Sequence, residues 1–230
     1  MSEYISYFFG YGSLMNIDEL AKCLLTTKEN ILQRVSFVKV KGLRRGWLNQ
    51  CSVSKTNNGL QLTPTYLCCY SEPKGCINGI IIPVTQREQD LIHQREKAAC
   101  YKISYLSHKQ IFCYHCKQNH SKDDFKNDLP IYFYSCDLIQ SSKPNRYHPI
   151  VQSYVDLCLN GTIYIDTLNN DDKYGFSQEF IRTTDFWIGQ YWINDRIYKY
   201  RPSIFLTNAE LINSLLVNNL PESVISTIQY

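Results

Sequence analysis

No stretch of this sequence approaches the roughly 20 consecutive apolar residues that a bilayer-spanning helix requires, so no membrane span is expected. The start, Met1-Ser-Glu-Tyr4, lacks a basic region followed by an apolar stretch and a cleavage site, so no secretory signal is expected. Neither sign of charge dominates: 24 Lys and Arg stand against 21 Asp and Glu, a formal net charge of +3. So small an excess, spread along the chain, lacks the basic footprint of a nucleic-acid binder. The local run Lys39-Val-Lys-Gly-Leu-Arg-Arg45 reads as a solvated strand face rather than a binding patch. There is no internal repeat and no low-complexity linker. The signal for metal is thin. Cys113-Tyr-His-Cys116 is followed by His120, and thiolate with imidazole suits zinc. The first histidine lies inside the cysteine pair, however, and no second pair follows, so no metal is expected.

What remains is ordinary globular composition, 44% hydrophobic and 20% charged. A chain of 230 residues suits one domain with room for an added lobe, and buries a substantial core. Without a secretory signal the ten cysteines read as buried thiols in a reducing compartment, which makes the expected location cytoplasmic. The aromatic load of 18 Tyr, 10 Phe and 3 Trp favours a sheet-rich core or a pocket with polar-tipped walls.

Tyr4 to Phe9 is a β-favouring run that stops at Gly10-Tyr-Gly-Ser13, a strand entering a tight turn. Asn16 then caps a helix with Glu19 three residues on and a stripe of Leu20, Leu24 and Leu25. Further strands are predicted at 34–41, 65–70, 77–84, 101–106 and 131–134. Ile80-Ile-Ile82 is continuous, as in a strand covered on both faces. Thr85-Gln-Arg-Glu88 is a capping box opening a short helix that ends near Arg95-Glu96, and Thr207-Asn-Ala-Glu210 is a second. Pro149 is placed like a first-turn proline and Gly161 like a C-terminal stop, with Ile150, Val151, Tyr154, Leu157 and Cys158 on one helical face. Polar segments at 117–128 and 169–173 read as loops. The pattern is α+β and lacks the regular βαβα alternation of a doubly wound sheet. We expect a main domain over 1–168 and an aromatic, helical extension over 169–230 packed on it.

The most suggestive segment is Phe9-Gly-Tyr-Gly-Ser-Leu-Met15. Glycine permits positive φ and close approach by a ligand. Consecutive backbone N–H groups beside a helix N-terminus bind an anion or a developing oxyanion. Most glycine turns do no more than satisfy turn geometry. This one is not a phosphate loop, since it lacks both a Lys-Ser/Thr ending and a G-x-G-x-x-G spacing.

Phe-Gly-Tyr-Gly-Ser-Leu at 9–14 resembles the signature turn of the γ-glutamylcyclotransferase-like superfamily, which includes the ChaC-like glutathione-degrading branch. Three later features agree in order. Gly42-Leu-Arg-Arg-Gly-Trp47 resembles the family's glycine–arginine–aromatic strand end. Leu91 to Tyr101, with Arg95-Glu96 and then Tyr101, resembles the segment that carries the catalytic glutamate. Tyr154 followed by Gly161 resembles the spacing that places a substrate-contacting tyrosine, with Tyr147 as a rival. The resemblance covers roughly residues 5 to 165, about seven-tenths of the chain. The segment after Glu96 is Lys-Ala-Ala-Cys100 rather than the glycine-bearing version often found, and the Trp- and Tyr-rich region 175–202 goes beyond the minimal domain.

The resemblance implies a mixed sheet curled towards a small barrel with helices outside. It implies an enzyme that closes the α-amine of a small γ-glutamyl substrate onto its own γ-carbonyl, releasing 5-oxoproline and an amine or amino acid. It implies Glu96 as the acid–base residue, with Tyr11, Gly12, Ser13, Leu14 and Tyr154 as substrate-binding residues and no cofactor. A helix C-terminus and burial raise a carboxyl's pKa, which would sharpen Glu96 as a base; Arg95 opposes this if it points the same way. Two alternatives stand beside this reading. One is a non-catalytic binding or interaction module on the same fold, favoured if Trp187, Tyr191 and Trp192 are exposed together. The other keeps the enzyme and changes the γ-glutamyl compound.

Overall fold

The first apolar run becomes β1 (Ser6–Gly10), buried along its whole length. In this computed structural model, which describes residues 3–50, 55–57, 60–114, 129–136, 141–168, 175–197, 199 and 208–229, β1 lies between two partners. It pairs antiparallel with the second half of β5 (Tyr66–Val84), Gly10 opposite Ile80, and parallel with β8 (Ile131–Ser135). β2 (Ser36–Asn49) pairs with β5 along most of its length. The outer edge of β2 takes β7 (Ile111–Cys113) near its start and β10 (Thr184–Asp185) near its end. β6 (Lys102–Leu106) lies on the far side of β8. Where β1 stops, β8 meets β5 directly, Cys69 opposite Ser135. The seven-stranded sheet thus curls into a half-barrel, and the glycine turn leaves it where the strands part. Two small pairs lie apart: β3 (Lys55–Asn57) with β4 (Leu60–Leu62), and β9 (Ile150–Val151) with β11 (Trp192–Ile193).

The helices flank this sheet. α1 (Ile17–Leu24) is capped by Asn16, whose side chain accepts from the amides of Asp18 and Glu19, and α2 (Lys28–Leu32) by Thr27. α3 (Gln86–Lys97) carries the full capping box of Thr85 and Glu88. α4 (Gln152–Leu168) is buried over most of its length, since it runs between the turn, α5 (Gly175–Arg182) and α6 (Ala209–Asn219). α7 (Glu222–Ile225) ends the described chain. The core crosses residue 168: Phe176 and Phe180 of α5 are fully buried, and β10 extends the main sheet. Ile80, Ile81 and Ile82 are all without exposure, as a strand covered on both faces must be.

Several expectations are corrected. The strands predicted at 65–70 and 77–84 are two halves of β5; the register slips between Lys41 and Leu43, where Gly42 takes φ +84°. Pro149 precedes the short strand β9, and α4 starts later, at Gln152. Gly161 does not stop that helix. It lies inside α4, where a Cβ would sit 2.6 Å from the Asn16 nitrogen and 2.7 Å from its Cα. The backbone of the turn region passes too close for any side chain. Gly161→Ala is therefore expected to destabilise the fold by about 1–3 kcal/mol, because neither contacting backbone can yield cheaply. Urea unfolding checks this, and an unchanged midpoint would show that the two segments slide apart freely.

Among the described residues, the reading of the cysteines as thiols fails at four positions. Cys68 on β5 and Cys136 just past β8 form a disulfide, because the pairing of Cys69 with Ser135 brings the two strands side by side. Cys100 and Cys113 are each in a disulfide as well, while Cys23, Cys69, Cys76 and Cys158 are in none. The thiol reading followed from the missing secretory signal, and it is this reading that fails at the bonded cysteines. No helix among the described residues is long and apolar enough to cross a membrane. Thr207 of the second capping box, the loops at 117–128 and 169–173, and His115, Cys116 and His120 lie outside the described residues. Among the described residues no group of three potential metal ligands gathers.

Candidate active site

α3 is a polar helix with two buried residues, Ile92 and Glu96. They stand four positions apart and share a face. Ile92 packs into the core, so the next side chain on that face, Glu96, is carried inward with it. The start of the helix is held by its capping box and by Arg34, whose Nη1 donates to Glu88 Oε2 at 2.9 Å. Its end is held by Asn49, whose Nδ2 donates to the Ala99 carbonyl at 2.9 Å. Cys100 then turns the chain towards β6 with φ +61°. That left-handed conformation favours glycine, so this chain keeps a glycine-like turn after Glu96 with a cysteine in it.

The turn between β1 and α1 is built differently from the expectation. Neither Gly10 nor Gly12 has positive φ; among the described glycines only Gly42 does. Gly12 faces the Tyr154 hydroxyl, and a Cβ there would lie 3.6 Å from it, an ordinary contact. Ser13–Met15 then form one 3-10 turn, with the Met15 amide donating to the Gly12 carbonyl at 2.9 Å.

A buried cation holds this turn from behind. Arg45 on β2 has no exposure, and its Nη1 donates to the Tyr11 carbonyl at 2.8 Å. Its remaining donors reach the Asn78 carbonyl and side chain, the Phe180 carbonyl, and the hydroxyls of Thr183 and Thr184. Burial pulls its pKa down to about 10, so it stays charged at neutral pH. The guanidinium thereby ties the turn, β5 and α5 together.

Tyr11, Gly12, Ser13, Leu14, Glu96 and Tyr154 all line one partly open hollow. Leu67, Tyr101 and Tyr134 complete much of its wall. Tyr154 is buried and packs edge-on against Tyr66 and Trp47, with ring centroids 4.9 and 5.9 Å away. Tyr147, its rival, is exposed beside Arg146 and does not line the hollow. Tyr11 donates to the Tyr134 carbonyl and Tyr101 to the Leu67 carbonyl. Burial pushes the pKa values of Tyr11, Tyr101 and Tyr134 up, and the Glu96 charge adds to each shift. These phenols remain protonated donors around a carboxylate.

Arg95 does point the same way as Glu96. Its Nη1 pairs with Glu96 Oε1, and its Nη2 donates to Ser13 Oγ at 3.1 Å. Burial disfavours the Arg95 cation, yet the Glu96 charge, with Cys23 and Tyr154, outweighs this and raises its pKa. The opposing effect on the base is therefore present in the site. The aromatic region does not form an exposed patch: Trp192 is fully buried, and Trp187 stacks on it and packs edge-on against Trp47. This column backs Tyr154 rather than facing solvent.

No protein-family model and no curated protein matches the sequence. Solved structures do match. One titled as a gamma-glutamyl cyclotransferase aligns over 91% of this chain and 98% of its own at a TM-score of 0.51 and 9% identity. The chain has the γ-glutamylcyclotransferase-like fold. An uncharacterised Homo sapiens protein aligns over 77% of this chain and 87% of its own, with a TM-score of 0.47 and 9% identity. A yeast γ-glutamyl cyclotransferase described as specific to glutathione aligns over 98% of both chains, with a TM-score of 0.43 and 10% identity. On the γ-glutamylcyclotransferase-like fold of this chain, the half-barrel sheet carries the hollow at the point where β1 ends.

Reading the residues in order missed two walls of this hollow and the cation that holds its turn from behind. Arg45 lay within Gly42-Leu-Arg-Arg-Gly-Trp47, but nothing distinguished the buried arginine from Arg44, which faces outward to pair with Asp185. Tyr101 was visible only as the end of the Arg-Glu-x4-Tyr segment. Tyr134 carried no signal beyond its place in an apolar strand.

Proposed function

We propose that this protein is a γ-glutamylcyclotransferase-type enzyme acting on a small γ-glutamyl compound. The observation that carries the reading is the meeting of Glu96 and the turn Tyr11–Leu14 in one hollow, although 82 positions separate Ser13 from Arg95. In the proposed reaction the substrate's α-ammonium gives a proton to Glu96. The freed amine attacks the γ-carbonyl carbon, closing a five-membered lactam. The turn's backbone N–H groups receive the developing oxyanion. Glu96 then passes this proton to the leaving nitrogen as its bond to carbon breaks, and the second proton shed by the ring nitrogen follows through the same carboxylate, so that the leaving group departs as an ammonium. The products, 5-oxoproline and a free amine or amino acid, together contain the atoms of the substrate. Tethering of nucleophile and electrophile in one molecule removes the need for a covalent enzyme intermediate. The phenols of Tyr11, Tyr101 and Tyr134 stay neutral and add no competing negative charge to the wall, those of Tyr11 and Tyr101 being held by the carbonyls of Tyr134 and Leu67.

The test is to incubate the purified protein with γ-glutamyl dipeptides, γ-glutamylamines and glutathione, and to assay 5-oxoproline. Release from at least one of them is expected. No turnover across the panel would favour a binding module on the same fold.

A further inference from the structure

The site holds its cation directly on its base. Arg95 bridges Glu96 Oε1 and Ser13 Oγ, so one guanidinium joins α3 to the glycine turn. The Arg95 side chain is 30% exposed against 12% for Glu96, so it is the more accessible of the two side chains. Arg95 is not itself in the wall of the hollow but touches two residues that are, Glu96 and Ser13, and no other Lys or Arg among the described residues lines it. The other groups that feel the Glu96 charge are Tyr11 beside the turn, Cys23 on α1, Tyr101 before β6 and Tyr134 on β8. Burial pushes the pKa of each of these upward, so all four are neutral at pH 7 and Arg95 is the charged neighbour among them.

A carboxylate bound to a guanidinium is a poor base, because protonating it breaks the ion pair. A γ-glutamyl substrate brings an ammonium and a carboxylate on the same carbon. We infer that Arg95 is a substrate-operated latch: it rests on Glu96 in the free protein and transfers to the substrate's α-carboxylate on binding, releasing Glu96 to the neighbouring α-ammonium. The inference rests on the cyclotransferase reading of Glu96. The exchange trades one ion pair in the site for two, with no charge left unpaired in a partly buried place. It also makes the catalytic carboxylate available only when a compound with a free α-carboxylate is present. Arg95 is thus a specificity and positioning residue, and the substrate class is the γ-glutamyl compounds whose α-amine and α-carboxylate are both unblocked. Arg suits the role better than Lys, since its planar fork spans two acceptors at once.

The test compares γ-glutamylalanine with its analogue carrying an α-carboxamide on the glutamyl unit. Wild-type protein is expected to favour the free carboxylate. In Arg95→Met the KM for γ-glutamylalanine should rise by about 10- to 100-fold, the range of a hydrogen bond to a charged group, and the preference over the carboxamide should vanish. Loss of the cation should also move the acidic limb of the kcat/KM profile to higher pH, because Glu96 then protonates more readily. Arg95→Lys keeps a positive charge and should hold that limb near its wild-type position while regaining only part of the KM. A loss of folding alone moves neither the carboxylate preference nor the limb, and circular dichroism of each variant monitors it. Full retention of the preference and of the limb in Arg95→Met would overturn the latch. If wild-type protein forms no 5-oxoproline, the cyclotransferase reading falls by itself. Calorimetry with the same two compounds then reads the latch, and equal affinities for wild-type protein and Arg95→Met would sink it.

Discussion

Glu96→Gln is expected to lower 5-oxoproline release by about 10²- to 10⁴-fold, the usual contribution of a positioned acid–base group. The substitution keeps the size of the side chain and its place one turn after Ile92, so the wall of the hollow stays intact. What it removes is the ability to take the α-ammonium proton and return it to the leaving nitrogen. It also removes the ion pair to Arg95. Both side chains are largely buried, but the new amide oxygen can still accept from the guanidinium, so the stability change should stay within about 1–3 kcal/mol. The measurement is kcat on whichever γ-glutamyl compound turns over, beside a thermal melt. A rate at the wild-type level would remove Glu96 from the mechanism, and with it the claim that the hollow is a catalytic site.

Arg45→Met should do the opposite, damaging the fold first and the chemistry second. Methionine fills most of the volume but offers no donor. The Tyr11, Asn78 and Phe180 carbonyls then lose a partner in a place that no solvent reaches. The Phe180 carbonyl keeps the Thr184 hydroxyl, and at 1–3 kcal/mol for each of the other two acceptors the cost is about 2–6 kcal/mol. Chemical denaturation should show this as a lower midpoint with an unchanged slope. The protein that remains folded should also turn over more slowly, because the Tyr11 carbonyl is the point where β2 holds the glycine turn in place. Arg45→Lys should recover little, since a single ammonium cannot reach acceptors on the turn, β5 and α5 together. A midpoint equal to wild type in Arg45→Met would mean that the buried guanidinium is dispensable.

Much of the scaffold is readable along the chain. The capping residues Asn16 and Thr85 mark helix starts because their side chains satisfy amides a few residues away, an interaction local by nature. Ile80-Ile-Ile82 announces a doubly covered strand because exposure on either face would break the apolar run. Gly161 misled because its signal is not local: a glycine near a helix end and a glycine at a crossing look identical until Asn16 is placed against it. The cysteines misled for a similar reason. Cys68 and Cys136 meet only because β1 ends and lets β8 reach β5.

The same division holds for the hollow. The amino-acid order alone settles that a strand runs into a glycine turn and a capped helix, and that a later capped helix ends in Arg95-Glu96, since propensity and capping act over a few residues. It does not settle that the guanidinium of Arg95 lands on its neighbour and on Ser13, that Arg45 faces inward while Arg44 faces out, or that Tyr154 rather than Tyr147 faces Gly12. Those outcomes depend on the curl of the sheet and the crossing of α4 over the turn. Contacts between distant segments are chosen by packing and by the cost of leaving buried polar groups unpaired, and neither quantity exists until the chain has folded.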